Sequence, residues 1–288
     1  MRNIKKIAIV LMLSLGVVHG ADADSVILMI GDGMGANHIA CAEKEMPLFM
    51  TTLPVKGWVK TRSANKEITD SAASATAYAC GHKTNNGYVG KLPDKTDCLT
   101  IAEEAVQNGK AVGIYSTDHD NGATPASFYA HANHRHDRKT IQKYRKKAEE
   151  DMDIETAIPE LSDIVSGKLK ELADEADDFF AMFEGGLIDK KSHKNRFQEM
   201  KEELFDFDYA IMKAVRFARK NPDVTVVVLA DHECGGLTNE CAFTTDKHTG
   251  VDIPLFAYGK YAKLFEGVQD NTEIYRNMNV ILNHEDKD

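Results

Sequence analysis

Five short apolar runs recur along the chain, at residues 25–30, 111–115, 179–183, 224–229 and 253–258. Each is only five or six residues long and rich in β-branched or aromatic side chains, and most end in glycine or in a polar cluster, which reads as a buried strand. Stretches of helical character separate them, at 71–80, 99–108, 125–133, 158–173 and a long one at 189–220. Strands alternating with helices predict an α/β fold with a mostly parallel central sheet and helices on both faces. Four polar groups follow the strand runs directly: Asp32, the 116–124 segment, Glu184, and Asp231 with His232. Ligands in open α/β sheets lie outside the carboxyl ends of the strands, so these groups are expected on one edge of the sheet.

The N-terminus follows a different pattern. Arg2, Lys5 and Lys6 precede an apolar run at 7–18, and Val18-His19-Gly20 lead to Ala21. This layout is that of a secretory signal peptide over residues 1–20, with an apolar core too short to span a bilayer. Residues 21–288 are then expected to form a single domain, periplasmic or secreted, without a stable membrane span. The formal charge is −10, and loss of the leader with its three cations makes it more negative. Phosphate-backbone affinity comes from Lys and Arg, so no nucleic-acid-binding surface is indicated. The odd number of cysteines (Cys41, Cys80, Cys98, Cys234 and Cys241) leaves at least one thiol unpaired, and their spacing assigns no bridge. The charged stretch 134–155 reads as an exposed helix or excursion.

Single candidates mean little. An aspartate at a strand end is often a turn residue, and a lone histidine is often an ordinary surface group. Their joint placement is more informative. Asp189 and His193 are four apart on a helical stretch, where both side chains leave one face and can share a metal ion. Asp231-His232 and Asp32 add carboxylates and an imidazole, donors that suit zinc, whereas an all-oxygen set suits magnesium.

The segment Thr69-Asp70-Ser71-Ala72-Ala73-Ser74-Ala75-Thr76-Ala77 resembles the nucleophile motif of alkaline phosphatases. A serine at a helix N-terminus meets free N–H groups and the positive end of the dipole, which favour a bound phosphate. Further segments resemble the family's in order: 27–35 around Asp32, Thr124-Pro125-Ala126 with Arg135, Glu184 through Asp189 to His193, Asp231-His232, and Lys247-His248-Thr249-Gly250. The resemblance to a compact bacterial-type member implies two zinc ions and one magnesium. Asp189, His193 and His248 would hold one zinc; Asp32, Asp231 and His232 would hold the second, with Ser71 at its open position. Asp32, Thr124 and Glu184 would hold magnesium. Ser71 would form a phosphoserine, Arg135 would clamp the phosphoryl group, and Lys190 would bind phosphate through water. Small phosphate monoesters are the implied substrates, and a homodimer the implied assembly.

The sequence also departs from the family. Gly122 stands where relatives place an Asp or His near the magnesium, with Asp118, His119 and Asp120 the nearby substitutes. His232 and His248 are sixteen apart, and Arg135 and Glu184 forty-nine, which predicts a minimal core without a large accessory domain. His131, His134 and His136 are taken as surface or supporting residues. The alternatives are a phosphodiesterase of the same superfamily and a non-catalytic phosphate- or zinc-binding protein. A sulfatase is disfavoured because no Cys- or Ser-x-Pro-x-Arg segment is present.

Overall fold

The computed structural model describes residues 24–283, so the expected signal peptide lies outside the described residues. The strands are β1 (Ser25–Gly31), β2 (Val55–Lys60), β3 (Ala111–Ser116), β4 (Asp153–Glu155), β5 (Phe179–Gly185), β6 (Val224–Leu229), β7 (Glu233–Cys234), β8 (His248–Thr249), β9 (Ile253–Tyr258) and β10 (Gly267–Asp270). The helices are α1 (Ala36–Glu43), α2 (Ser71–Cys80), α3 (Ile101–Gln107), α4 (Ala123–Ala126), α5 (Arg138–Ala148), α6 (Leu161–Glu175), α7 (Leu187–Ser192), α8 (Phe197–Ala218) and α9 (Asn271–Asn283).

The main sheet has the order β10-β2-β9-β6-β1-β5-β3-β4, and β7 pairs with β8 in a separate small ribbon. Strands β6, β1, β5, β3 and β4 run parallel, while β9 is antiparallel to both its neighbours. All five predicted strands are present. β1, β3, β5 and β6 are buried along their whole length, which is why they read as continuous apolar runs rather than alternating ones. Helices α6 and α8 pack on each other and on β5, whereas α2 packs on α9, and α3 packs on β3 and β5. The two groups share strands and have no substantial contact with each other, as expected for layers on opposite faces. No separate accessory domain is found among the described residues, and none of their helices is long and apolar enough to cross a membrane.

Register sets the site edge. Gly31 of β1 is level with Gly185 of β5, and Glu184 is level with Ser116 of β3. The ring of Phe207, from α8, lies beneath this edge. A side-chain carbon at Gly31 or at Gly185 would come within 3.0 Å of it, so both strands end in the residue that lets the ring pack.

Two helical expectations are corrected. Residues 189–220 form two helices, because the chain turns after Ser192 with Asn195 in the left-handed region (φ 54°). The 125–133 stretch is helical only through Ala126. Its later N–H groups bond largely at i−3 spacing, and Ala132 pairs with Val89 instead of continuing the helix. The charged 134–155 stretch contains α5, which buries only Ile141 fully. Cys41–Cys241 and Cys80–Cys98 are disulfides, and Cys234 is free and buried.

Candidate active site

The parallel strands deliver the predicted residues to one edge. Asp32 follows β1, Glu184 is near the end of β5, Asp231 and His232 follow β6, and Thr124 lies in α4 just after β3. Ser71 is the first residue of α2, whose N-cap Asp70 accepts a hydrogen bond from Ala73 N at 3.0 Å. Two first-turn N–H groups are already taken, Ala73 N by the Asp70 side chain and Ser74 N by the Asp70 carbonyl, and Ser71 stands at the positive end of the helix dipole.

His232 lies at the centre of one cluster. Its Nε2 is 3.2 Å from Ser71 Oγ, 3.1 Å from Asp231 Oδ2 and 3.5 Å from Asp32 Oδ1. One ring nitrogen carries at most one proton and cannot satisfy three oxygens. Asp231 is fixed from behind, because its Oδ1 accepts from Gly33 N and His232 N. A second cluster centres on Asp189 Oδ1, which is 3.3 Å from His193 Nε2 and 3.5 Å from His248 Nε2. Those two histidine nitrogens are themselves 3.1 Å apart. The His248 ring stacks on His232 with centroids 3.5 Å apart, joining the clusters. His193 Nδ1 faces the Asp246 carbonyl and His248 Nδ1 the Thr69 carbonyl, which fixes both rings with Nε2 inward.

The donor atoms fit metal ions. Asp32 Oδ1, Thr124 Oγ1, Glu184 Oε1, Asp189 Oδ1 and Asp231 Oδ2 are buried and make no well-formed hydrogen bond among the described residues, three of them meeting only a histidine Nε2 that they share or that is itself crowded. An unpaired buried polar atom costs about 1–3 kcal/mol, so five at one edge call for a common partner. Tetrahedral zinc with bonds of about 2.0–2.1 Å places its ligands roughly 3.4 Å apart, close to the separations around Asp189. Two sets, Asp189-His193-His248 with Cys234 and Asp32-Asp189-His232, bring their donor atoms within 4.8 Å of one another.

Electrostatics point the same way. Burial pushes the Asp32 carboxyl well above its ordinary range, and Asp231 and Asp189 push it further. Glu184 is pushed up to about 8, by burial and then by Asp118. Asp189 is held low despite its burial, by His248, His232 and Lys190. Asp231 is likewise held low by His232, so the carboxylates short of positive charge are Asp32 and Glu184, which a bound cation would relieve.

Arg135 donates from Nη1 to Asp70 Oδ2 at 3.1 Å and so stands beside the residue preceding Ser71. Burial opposes its charge, but Asp70 and then Asp32 and Asp231 hold its pKa above the usual value. Lys190 Nζ lies 3.4 Å from both Asp189 Oδ2 and Asp118 Oδ2. Every predicted site residue therefore lies at this edge. Of the three histidines near Arg135, His134 and His136 are exposed, whereas His131 is buried between the Gly90 carbonyl and Glu103.

The sequence reading missed three supporting groups. Asp70 both caps α2 and holds Arg135; the rule that Asp precedes a helix would have found the first role, and only the fold reveals the second. Glu233 is buried next to His232, where it accepts from Leu237 N and from the Thr249 hydroxyl, tying β7 to the β8 strand that carries His248. His38 is buried against Ser192 at 3.2 Å behind α7, with its pKa lowered to about 4 by burial, so it supports the site as a neutral ring.

The alkaline phosphatase family model matches residues 23–158, 143–241 and 236–284. Alkaline phosphatase 3 of Bacillus subtilis is 24% identical, over 88% of this chain and 88% of its own. The alkaline phosphatase of Schizosaccharomyces pombe is 29% identical over 74% of this chain and 56% of its own. The alkaline phosphatase from the Antarctic bacterium TAB5 superposes with a TM-score of 0.82 at 28% identity, covering 91% of this chain and 98% of that one. The ordered motifs, the fold and the family match agree: this chain belongs to the alkaline phosphatase family.

Proposed function

We propose that this chain hydrolyses phosphate monoesters to alcohol and inorganic phosphate through a phosphoserine on Ser71. The observation that carries the reading is the placement of Ser71 Oγ at a helix N-terminus, 3.2 Å from His232 Nε2, which itself meets Asp32 and Asp231 oxygens that make no well-formed hydrogen bond. Zinc fits Asp189, His193 and His248, and a second zinc fits Asp32, Asp231 and His232. Magnesium fits the oxygens of Asp32, Thr124 and Glu184. When bound, such ions lower the pKa of coordinated hydroxyls and offset the charge of a phosphoryl group.

The chain's own groups do the rest. Ser71 Oγ gives up its proton to water as it attacks phosphorus, the bond from phosphorus to the ester oxygen breaks, and that oxygen takes a proton from water and leaves as the alcohol. The α2 N-terminus and the Arg135 guanidinium bind the phosphoryl oxygens, the latter by two parallel N–H donors. Asp70 holds that guanidinium in register with Ser71 before substrate arrives. Water then attacks the phosphoserine, the Oγ–phosphorus bond breaks, and phosphate departs past Lys190. Export to the periplasm or beyond belongs to this reading. The two disulfides support it, since such bonds persist in oxidising compartments.

The test is hydrolysis of p-nitrophenyl phosphate and its bis-ester by wild type and Ser71→Ala, with and without chelator. Fast monoester turnover, lost with either chelator or Ser71→Ala, is expected. Preference for the bis-ester would move the chain to the phosphodiesterase branch. Zinc binding without turnover of either ester would mark it as a binding protein.

A further inference from the structure

All five cysteines lie among the described residues, and Cys234 alone is outside a disulfide. It is fully buried beside the active site, and the chemistry above leaves its sulfur unused.

Three elements bring this thiol to Asp189. In the β7–β8 ribbon Cys234 is directly opposite His248, and residues opposite each other in an antiparallel pair put their side chains on the same face. Cys234 N donates to the Gly33 carbonyl at 3.0 Å, which holds β7 against the turn after β1. A side-chain carbon at Gly33 would stand 3.0 Å from both Cys234 Cβ and Asp189 Cα, so β7 and the start of α7 close over a residue without one.

The sulfur thereby joins a converging set of donors. One donor atom each from Asp189, His193, Cys234 and His248 lies within 4.8 Å of all the others. The oxygen in this set points to an ion independently of the sulfur. Asp189 Oδ1 is buried and makes no well-formed hydrogen bond, while the Nε2 atoms of His193 and His248 face it and stand 3.1 Å from each other. The thiol itself is weakly engaged, since it reaches the Asp189 carbonyl at 4.0 Å, a long contact for a weak donor. Tetrahedral zinc, with Zn–S of about 2.3 Å and Zn–N of about 2.0–2.1 Å, spaces such donors roughly 3.4–3.6 Å apart, within the reach of this set.

We propose that Cys234 is a sulfur donor of the cation site formed by Asp189, His193 and His248, giving that site a fourth protein ligand. The inference rests on the reading of that site as a zinc site above. Binding displaces the thiol proton to water, and the thiolate takes the ion. A thiolate beside two imidazoles selects zinc over magnesium, which prefers oxygen. Zinc expands to five ligands in catalytic sites, so a fourth protein donor leaves room for a further oxygen. The other converging set, Asp32-Asp189-His232, contains no sulfur, so the two zinc sites differ in softness.

The test reads the metal rather than turnover. X-ray absorption is recorded on wild type and Cys234→Ser loaded with two equivalents of zinc, and optical spectra on the same proteins loaded with Co2+. Wild type is expected to show a sulfur shell at about 2.3 Å and a thiolate-to-cobalt charge-transfer band, both absent from Cys234→Ser. Losing an outer-shell partner already costs a metal about 10- to 100-fold in affinity, so Cys234→Ser is expected to weaken one of the two zinc ions by at least about 10-fold in chelator competition. Wild type that binds both zinc ions through nitrogen and oxygen alone, with no charge-transfer band, overturns this proposal and leaves the zinc reading standing. A sulfur signal that persists in Cys234→Ser also overturns it. Wild type that takes up neither zinc nor Co2+ overturns it together with the zinc reading. Should Cys234→Ser fail to fold, the wild-type spectra decide by themselves, because the other four sulfurs of cysteine are held in disulfides.

Discussion

At the scale of single residues, the site depends on groups whose orientation is set before substrate arrives. Arg135 is the clearest case. Its side chain is tied to Asp70, and Asp70 is itself fixed by N–H groups of Ala73 and Gly87. A guanidinium can keep that bond and still present a planar pair of donors to a phosphoryl group, which an ammonium cannot. Arg135→Lys is therefore expected to lower kcat/KM for a monoester by about 10- to 100-fold, the equivalent of one charge-assisted hydrogen bond. Steady-state kinetics on p-nitrophenyl phosphate would check this, and an unchanged kcat/KM would remove Arg135 from the phosphoryl clamp. Arg135 itself was legible because its spacing from Thr124 matched a motif. Asp70 and Glu233 were not recognised as partners, because hydrogen bonds to Arg135 and Thr249 join residues far apart in the chain.

At the scale of elements, legibility followed burial. The fully buried strands β1, β3, β5 and β6 gave an unbroken apolar signal, whereas β2 alternates and carries Gly57 and two lysines, so it did not read as a strand. The 125–133 stretch failed as a helix because its second half is recruited to other elements. There His131 Nδ1 faces the Gly90 carbonyl at 2.6 Å and Nε2 faces Glu103 Oε1 at 2.9 Å, joining the loop after α4 to the capping box of α3. Both neighbours are acceptors, so only the doubly protonated ring satisfies both. Burial lowers the His131 pKa, but Glu103 and the Gly90 carbonyl outweigh it and the net shift is upward. A raised histidine pKa contributes stability that is complete below the unfolded value near 6.5 and fades as pH rises through the folded value. Glu103 is shifted down, so its own contribution persists above the ordinary carboxylate range and is lost only in stronger acid. His131→Gln is therefore expected to cost about 1–2 kcal/mol near pH 6 and clearly less near pH 9. Thermal melts of both proteins at the two pH values decide it. An equal cost at both would mean that the ring serves only by packing.

At the scale of the whole molecule, the fold collects charge that it cannot neutralise alone. Strand-by-strand reading placed Asp32, Glu184 and Asp231 on one sheet edge, because parallel strands share the direction of their carboxyl ends. It could not give the distances or the orphaned oxygens, which arise from how four loops pack together. Those oxygens link metal binding to folding. An ion that binds only the native state stabilises it by RT ln(1 + [L]/Kd), about 4 kcal/mol at a thousand-fold excess over Kd. One kcal/mol shifts the melting temperature of a domain this size by roughly 2–4 °C, so removing tightly held ions is expected to lower it by about 10 °C or more. The ligands must be deprotonated to bind, and Glu184 is pushed up to about 8, so metal retention should weaken as pH falls. Calorimetry before and after exhaustive chelation, with metal content measured on the same samples, tests both statements. A melting temperature that does not move once the ions are shown to be gone would mean that the carboxylates tolerate one another without cations. That outcome would remove the metal-based account of the site. Recovery on adding back zinc, and further recovery with magnesium, would instead make the ions part of what holds this sheet edge together.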